Sequence, residues 1–321
     1  MPRYLITGVA GFIGSNIAQE LLRRGEEVRG FDDFSTGKRE NLANLKGKFE
    51  FRELTLLDAS GVADACSGID YVLHQAAIPS VPKSVIDPVS SHNANITGTL
   101  NLLLGARAAG VKRVVYAASS SAYGDTPTLP KHEEMLPHPI SPYAVQKLTG
   151  ELYHSSFTQV YGLETVSLRY FNIFGPRQDP TSQYSGVLAK FITQMLAGNP
   201  CTIFGDGEQS RDFTYVENAV NANLLACTAS AEQVSGKVFN VATGTRFSLN
   251  QTFRLLAAIT GYTGEPQYAE PRAGDVKHSL ADISRSRKAL GFEPSVNFEE
   301  GLGRTVEWYK QAMIPQMGRA N

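Results

Sequence analysis

The stretch YLITGVAGFIG, residues 4–14, decides the fold of this chain. Its first four residues are apolar or β-branched and predict a short buried strand. The glycines Gly8, Gly11 and Gly14 then form a G-x-x-G-x-x-G loop, which leads into a helix predicted over residues 13–24. Glycines let the backbone approach a pyrophosphate, and the N-terminus of a helix attracts that anion. A glycine-rich turn that holds no ligand is the alternative, because such patterns are common.

The second predicted strand, residues 28–31, runs directly into Asp32. A carboxylate at this place accepts hydrogen bonds from the ribose diol of adenosine and repels a 2′-phosphate, so it favours NAD over NADP. The alternative is that Asp32 serves only as a turn or cap residue, since the segment DFSTG (33–37) is rich in turn-forming residues.

Strand and helix patterns alternate along the first half of the chain and predict an α/β fold, a doubly wound parallel sheet with helices on both faces. This alternation of strand and helix patterns ends after residue 170, and residues 175–212 are rich in Gly, Pro, Asn and Asp. We therefore expect two domains. The sheet domain comprises residues 1–172 plus about 213–243, and a smaller, irregular α/β substrate domain comprises about 173–212 plus 244–321.

Two long helices are predicted in the first half, over residues 89–109 and 143–161, each followed by a glycine. A later helix is predicted to begin at Leu249, where Ser248 and Gln251 have the spacing of a capping box.

Composition narrows the class of protein. The 321 residues are 42% hydrophobic and 19% charged, which is enough apolar material for a sizeable core. Lys and Arg (30) balance Asp and Glu (31), so the net charge of −1 gives no support to a nucleic-acid binder or a membrane-surface protein. Three distant cysteines and six scattered histidines indicate neither a disulfide framework nor a metal site. No bilayer-spanning run or secretory leader is apparent, so we expect a cytoplasmic protein.

The segment YAVQK (143–147) places a phenol and an ammonium four residues apart, on one face of a helix. The pKa of a free tyrosine, about 10, is too high for a base at neutral pH. A neighbouring lysine and a nicotinamide cation both favour the phenolate and lower that pKa. Tyr143 with Lys147 is thus a candidate base for a sugar or alcohol hydroxyl.

A serine triplet, residues 119–121, follows the predicted strand 113–117, at the edge of a parallel sheet where ligands bind. A hydroxyl at that edge can contact both the phenol and the reacting oxygen. The alternative is an ordinary polar transition from strand to loop. The glycine loop, Asp32, Ser119, Tyr143 and Lys147 together, in this order and on these elements, are much more specific than any one of them.

These features resemble the extended short-chain dehydrogenase/reductase family, and in particular its UDP-glucose and UDP-N-acetylglucosamine (UDP-GlcNAc) 4-epimerases. The resemblance covers nearly the whole chain and implies a Rossmann-type sheet domain and NAD as cofactor. It is carried, beyond the glycine loop, by VLHQAA (72–77), NITGTLN (95–101), AASSSAYG (117–124), SPYAVQK (141–147), LRYFNIFGPRQDP (168–180), FGDGEQSRDFTYVEN (204–218) and PRAGDVKHSLADIS (271–284).

The resemblance also implies roles for individual residues. Tyr143 is expected to be the base, Lys147 to bind the nicotinamide ribose, and Ser119, or else Ser120, to orient the 4′-hydroxyl. Cofactor contacts are expected from Gly8, Gly11, Phe12, Ile13, Gly14, Asp32, Gln75, Ala76, Ala77, Asn95, Tyr143 and Lys147. Substrate contacts are expected from Ser119, Ser120, Asn172, Arg211, Arg272, Asp275 and Ser279. The two arginines would pair with the pyrophosphate, and surface ion pairs are the alternative for them.

The chain departs from the family pattern after the third strand. Relatives often carry an Asp there that contacts the adenine amine, and that place falls on Thr55. Thr55 is therefore not given a role.

The residues after the catalytic serine distinguish the reactions of the family. Sugar 4,6-dehydratases carry Asp-Glu there and decarboxylating relatives carry Glu, whereas this chain has Ser120 and Ser121, which are poor acids. We therefore expect an isomerase that interconverts UDP-GlcNAc and UDP-GalNAc, and also UDP-glucose and UDP-galactose, through a transient 4-keto sugar. The alternatives are a UDP-glucuronate 4-epimerase, an NADPH-consuming reductase, which Asp32 disfavours, and a non-catalytic NAD-binding regulatory protein.

Substrate breadth has one clue, again by resemblance. A bulky tyrosine a few residues after the pyrophosphate-binding arginine is associated with rejection of N-acetyl sugars, and Ser279 stands there in this chain. The small serine predicts that acetylated sugars are accepted, and an ordinary loop serine is the alternative.

A homodimer is the family expectation, formed through the helices at 89–109 and 143–161. Five leucines are candidates for that interface and equally for the intramolecular core: Leu100, Leu103, Leu104, Leu148 and Leu152.

Overall fold

The computed structural model describes residues 1–180, 186–271 and 277–317. Within these ranges, no helix combines the length and the apolar character that a membrane span requires.

The strands and helices follow each other closely in the first half of the chain, as expected for an α/β protein. The strands are β1 (Arg3–Thr7), β2 (Glu27–Asp32), β3 (Phe49–Glu53), β4 (Tyr71–His74), β5 (Arg113–Ser119), β6 (Glu164–Tyr170), β7 (Ile173–Phe174), β8 (Thr202–Phe204), β9 (Ser210–Arg211), β10 (Thr214–Tyr215), β11 (Lys237–Val241), β12 (Phe247–Ser248) and β13 (Gln267–Ala269). The helices are α1 (Phe12–Arg23), α2 (Ala59–Cys66), α3 (Val81–Ile86), α4 (Pro88–His92), α5 (Gly98–Ala108), α6 (Pro142–Tyr161), α7 (Val187–Leu196), α8 (Val216–Thr228), α9 (Ala231–Val234), α10 (Leu249–Thr260), α11 (Ser284–Leu290) and α12 (Phe298–Met317).

One seven-stranded parallel sheet organises the molecule, in the order β11-β6-β5-β4-β1-β2-β3. Because all its strands are parallel, their carboxyl ends meet at one edge, and the order reverses between β1 and β4. The predicted doubly wound, Rossmann-type α/β fold is confirmed.

The apolar run of β1 is continuous because both faces of the sheet are covered by helices. Side chains alternate between faces along a strand, so Tyr4 and Ile6 join one core cluster while Leu5 joins the other. All three are at most 6% exposed. A strand buried on both sides therefore fixes the position of the glycine loop that follows it.

The helix predicted over residues 89–109 forms, but it is not a single regular α-helix. One π-helical segment, Asn93–Thr97, separates α4 from α5. Such a segment inserts an extra residue into the turn and turns the side chains that follow to a different direction.

Among its described residues, the second half adds three two-stranded sheets outside the main sheet, namely β7 with β10, β9 with β12 and β8 with β13. The capping box predicted at the start of α10 is present, with Ser248 and Gln251 each bonded to the backbone of the other.

Candidate active site

The glycine loop lies at the carboxyl end of β1, pressed against the end of β4. Gly8 has φ of +67°, and a Cβ atom there would lie 2.7 Å from the Cα atom of Ala76. A Cβ atom on Gly14 would collide with the carbonyl oxygen of Gly8. Since α1 begins at Phe12 after Gly11, without a side-chain cap, its first backbone N–H groups are available to an anion.

Asp32 lies beside this loop, where β2 ends, and is 7% exposed. Its carboxylate accepts hydrogen bonds from the backbone N–H groups of Ala10 (2.9 Å) and Phe34 (2.8 Å). Burial raises the pKa of Asp32, and these two bonds oppose the rise. Asp32 thus stabilises the turn, which was the alternative role given for it. It also lines the cleft, where the remaining lone pairs of its carboxylate can accept hydrogen bonds from a diol.

A cleft of about 950 Å³ opens along the loop and the carboxyl ends of β1, β2 and β4. It is large enough for part or all of a dinucleotide. Its walls include Thr55 and nine of the twelve predicted cofactor residues, namely Gly8, Gly11, Phe12, Ile13, Gly14, Asp32, Gln75, Ala76 and Ala77. The position and lining of the cleft fit NAD.

The amide of Gln75 belongs to a polar triad at the end of β4. Its nitrogen donates to Asn223 (3.0 Å), and its oxygen accepts from the phenol of Tyr170 (3.2 Å). The nitrogen of Asn223 donates to the same phenol (2.6 Å). These bonds fix the direction of the Gln75 amide at the cleft wall.

Ser119 and Tyr143 come together at the carboxyl end of β5. Burial raises the pKa of the Tyr143 phenol, and a hydrogen bond with the Ser119 hydroxyl opposes the rise. The Ser119 oxygen also accepts from the hydroxyl of Ser121 (2.9 Å) and from its backbone N–H (3.2 Å). This contact with the phenol favours Ser119 over Ser120 as the catalytic serine.

Lys147 lies one turn further along α6, at 3% exposure. Its Nζ atom donates to the carbonyl oxygen of Ala117 over 2.8 Å and lies 4.9 Å from the centre of the Tyr116 ring. Because burial removes the ammonium from water, the pKa of Lys147 falls to about 7. Near neutral pH this lysine is therefore close to its titration point.

Asn95 lies in the π-helical segment and is almost fully buried. Its side chain is not among those that line the cleft, and it forms its hydrogen bonds inside the protein. Its oxygen accepts from the N–H of Ile78 (2.8 Å), and its nitrogen donates to Gln146 (2.8 Å). Asn95 therefore connects α6 to the loop that forms part of the cleft, and its contact with the cofactor stays a prediction.

The predicted substrate residues Asn172, Arg211 and Ser279 lie near one another, beyond the end of β6. The Asn172 amide donates to the Ser279 hydroxyl (3.2 Å) and to the carbonyl oxygen of Asp212 (3.0 Å). Asn172 has φ of +38°, a strained conformation for a residue other than glycine. Arg211 donates to the carbonyl oxygen of Lys277 over 3.1 Å. Arg272 and Asp275 lie outside the described residues.

Buried Asp212 connects the segments of this region, and it was not among the predicted site residues. Its carboxylate accepts from the N–H (2.9 Å) and hydroxyl (2.8 Å) of Thr243, and from the N–H groups of Gly244 (3.0 Å) and Ala281 (3.2 Å). Burial raises its pKa to about 6. Nothing local in the sequence marks this role, because the partners lie 31 to 69 residues away.

Further cations at the cleft were also missed, among them Lys83, on α3, and Arg177, which lies within the LRYFNIFGPRQDP segment. Arg177 donates to the carbonyl oxygen of Ser15 on α1 (3.0 Å), and burial lowers its pKa. Phosphates are natural partners for such cations, but neither residue type nor spacing distinguishes these two from surface charges.

Comparison with known proteins agrees with this geometry. Residues 4–242 match the model of the NAD dependent epimerase/dehydratase family. A UDP-glucose 4-epimerase of Mycolicibacterium smegmatis is 39% identical over 96% of this chain and 98% of its own length. A UDP-glucuronate 4-epimerase of Thermodesulfobacterium geofontis is 36% identical over 97% of each chain.

Solved structures give the same result. The UDP-N-acetylglucosamine 4-epimerase from Methanobrevibacter ruminantium, in complex with UDP-N-acetylmuramic acid, superimposes with a TM-score of 0.92 at 41% identity. The match covers 97% of this chain and 99% of that one. The resemblance stated from the sequence motifs is thereby confirmed: this chain belongs to the NAD-dependent epimerase/dehydratase family.

Proposed function

We propose that the protein is an NAD-dependent 4-epimerase that interconverts UDP-GlcNAc and UDP-GalNAc, and with the same residues UDP-glucose and UDP-galactose. The observation that carries the proposal is that Tyr143, Ser119 and the buried ammonium group of Lys147 come together at the carboxyl end of β5. A regulatory protein that only binds NAD has no need of a phenol, a hydroxyl and an ammonium in this arrangement.

Tyr143 acts as the base that takes the proton of the 4′-hydroxyl and later returns it. The hydroxyl of Ser119 favours its phenolate. An ammonium at Lys147, one turn away on the same helix, favours the phenolate as well. Ser119 holds the reacting oxygen at the phenol, and Ser121 holds Ser119. Ser120 and Ser121 offer no strong acid to a leaving hydroxyl, so dehydration and decarboxylation lack a proton donor here.

NAD would be held by the glycine loop, Asp32 and Gln75, and when bound it supplies the acceptance and return of a hydride. Asp32 selects NAD because a 2′-phosphate would meet its carboxylate. Lys147 would bind the nicotinamide ribose with the donors it does not use on Ala117.

Ser279 is the proposed determinant of substrate breadth. Its hydroxyl accepts from the Asn172 amide, a proposed substrate contact. A serine here leaves room for an N-acetyl group, whereas a tyrosine would fill the space beside Asn172.

The test is incubation of the purified protein, without added cofactor, with UDP-GlcNAc, UDP-glucose and UDP-glucuronate in parallel, followed by chromatography of the products. We expect UDP-GalNAc from the first and UDP-galactose from the second. Turnover of UDP-glucuronate alone would instead favour the second candidate, which the 36% identical UDP-glucuronate 4-epimerase supports. No turnover of any of the three would favour the NAD-binding regulatory protein.

Two variants of Ser279 test the breadth argument. Ser279→Tyr is expected to lose at least about tenfold in kcat/KM for UDP-GalNAc and to keep the activity on UDP-galactose. Ser279→Ala is the matched control, because it removes the hydroxyl and keeps the space, and it should retain both activities. Equal effects of the tyrosine on both substrates would contradict the assignment.

We further propose a homodimer through α5 and α6. Leu104 and Leu152, two of the five candidate leucines, are exposed, and so is Val160. Leu103 is fully buried in the core, which was the alternative for all five leucines, while Leu100 and Leu148 are half-buried. Exposed apolar side chains on two adjacent helices are typical of an interface.

Sedimentation equilibrium tests the dimer. Leu152→Glu is expected to give a monomer, because it places a charge in the proposed interface. Leu136→Glu, at an exposed leucine outside both helices, is the control and should leave the mass unchanged. A wild-type monomer would rule the interface out.

A further inference from the structure

A third ionisable side chain follows those of Tyr143 and Lys147 along α6. Glu151 follows Lys147 by four residues, so the three side chains share one face of the helix. Glu151 is only 3% exposed. A buried carboxylate is costly unless it is paired, so this glutamate needs a physical reason for its position.

Arg169 on β6 is the partner of Glu151. Its Nε and Nη2 atoms donate to the two carboxylate oxygens over 2.9 and 2.7 Å, in bidentate geometry. Burial raises the pKa of Glu151, and the two bonds from Arg169 oppose that rise. The fork of the guanidinium matches an ionised carboxylate, so the pair carries a negative charge on the Lys147 side.

Glu151 is the carboxylate whose charge raises the pKa of Lys147 against the effect of burial. The other titratable groups around Lys147 are Tyr116 on β5, His74 on β4 and His154 on α6 itself. Burial lowers the pKa of both histidines, that of His154 to about 4, and raises the pKa of Tyr116. These three are therefore neutral at pH 7 and cannot replace the charge of Glu151.

The same ion pair contacts the 3-10 turn Ser120–Tyr123, which follows Ser119. The guanidinium of Arg169 lies 4.5 Å from the centre of the Tyr123 ring. Tyr123 ends the 3-10 turn that follows Ser119, and its hydroxyl donates to Asn240 over 2.7 Å. The helix that carries the proposed base and the turn that follows the proposed catalytic serine thus meet at one buried guanidinium.

We propose that Glu151, held by Arg169, is a positioning residue that keeps Lys147 in its ammonium form beside Tyr143 at neutral pH. The proposal deepens the proposed function and rests on the roles given there to Tyr143 and Lys147. Without the carboxylate, the unpaired guanidinium of Arg169 would add repulsion to the burial of Lys147. The ammonium would then release its proton at lower pH, and the phenolate of Tyr143 would form at higher pH.

The experiment is an ultraviolet titration of the phenolate in the NAD-loaded protein, with the pH profile of kcat measured beside it. Tyr143→Phe in each background serves as the blank, so that the difference spectrum reports Tyr143 alone. In Glu151→Gln we expect the Tyr143 midpoint to rise by about one pH unit. The acid limb of kcat should move upward with it, and the alkaline limb should move downward.

Two further variants separate charge from structure. Glu151→Asp keeps the charge and should return the midpoint to near its wild-type value. The double variant Glu151→Gln/Arg169→Met leaves no unpaired guanidinium, so it addresses a failure of Glu151→Gln to fold, and it should shift the midpoint in the same direction.

The outcomes are distinguishable. An unchanged midpoint in both charge-removing variants, with NAD still bound, would overturn the proposal and leave the roles of Tyr143 and Lys147 intact. If Tyr143→Phe removes no titration from the wild type, the assignment of the base fails, and this proposal fails with it. A loss of thermal stability without a shifted midpoint would assign Glu151 a structural role only and would also overturn the proposal.

Discussion

The burial of Lys147 is expected to destabilise the protein, and the substitution Lys147→Met measures by how much. The pKa of Lys147 falls from the usual 10.5 to about 7. At about 1.4 kcal/mol for each tenfold change in proton affinity, the buried ammonium costs about 5 kcal/mol below pH 7. Replacement of Lys147 by methionine removes this cost, and the loss of the hydrogen bond to the Ala117 carbonyl offsets about 1–3 kcal/mol of that gain in stability. We expect Lys147→Met to be inactive and, at pH 7, more stable by roughly 2–4 kcal/mol.

The pH dependence of that gain follows from the direction of the shift. Below pH 7 both the folded and the unfolded chain bind the proton, so the penalty of burial is complete. Between pH 7 and 10.5 the folded lysine is neutral while the unfolded chain still binds the proton, so the wild type gains stability as the pH rises. The advantage of the methionine variant should therefore shrink by about 1.4 kcal/mol per pH unit over this window.

Denaturant unfolding from pH 6 to pH 10, on protein freed of nucleotide, is the assay for this prediction. Removal of NAD from both proteins keeps a change of cofactor affinity out of the comparison. Lys46→Met, at an exposed lysine, is the matched control for the loss of a lysine side chain and should change the stability only slightly. A stability difference for Lys147→Met that stays flat across the range, or a less stable variant at pH 7, would refute the reasoning.

Two other predictions concern the backbone and a buried carboxylate. Gly14→Ala should reduce the NAD content of the purified protein by at least about tenfold, because a Cβ there meets the Gly8 carbonyl and displaces the loop; Gly303→Ala, where a Cβ meets nothing within 4 Å, should retain NAD. Asp212→Asn should lower the free energy of unfolding by about 1–3 kcal/mol, measured by denaturant titration. The amide NH₂ of asparagine would face N–H groups that now donate to a carboxylate oxygen, so hydrogen bonds there would be lost.

The parts of the fold that the sequence predicted are those decided by neighbouring residues. The strands predicted over residues 28–31 and 113–117 form as Glu27–Asp32 and Arg113–Ser119, because short apolar runs end at clear breaks. The capping box of Ser248 and Gln251 depends on two residues three positions apart, and it was equally predictable.

The parts that sequence reasoning missed depend on distant partners. The π-helical segment Asn93–Thr97 has no sequence signal of its own, and it lies where Asn95 meets Gln146 of another helix. Asp212 and Glu151 look like surface carboxylates in the sequence, because an acidic residue is buried only when its partners are supplied elsewhere in the fold. Those partners come from other strands and loops, which no local pattern reveals.

Helix α6 shows why the site and the fold cannot be separated. Its inner face buries Gln146, Lys147 and Glu151, where a helix built only for stability would bury apolar side chains. Each polar group is tolerated because a neighbouring element meets it, as the Ala117 carbonyl meets Lys147 and Arg169 meets Glu151. Since Ala117 and Arg169 lie on β5 and β6, the two strands that flank the proposed base, the same contacts that satisfy the buried groups also set their positions. Replacement of Glu151 alone by an apolar residue should therefore lower stability, because it leaves the Arg169 guanidinium buried and unpaired, and only the replacement of both residues should raise it.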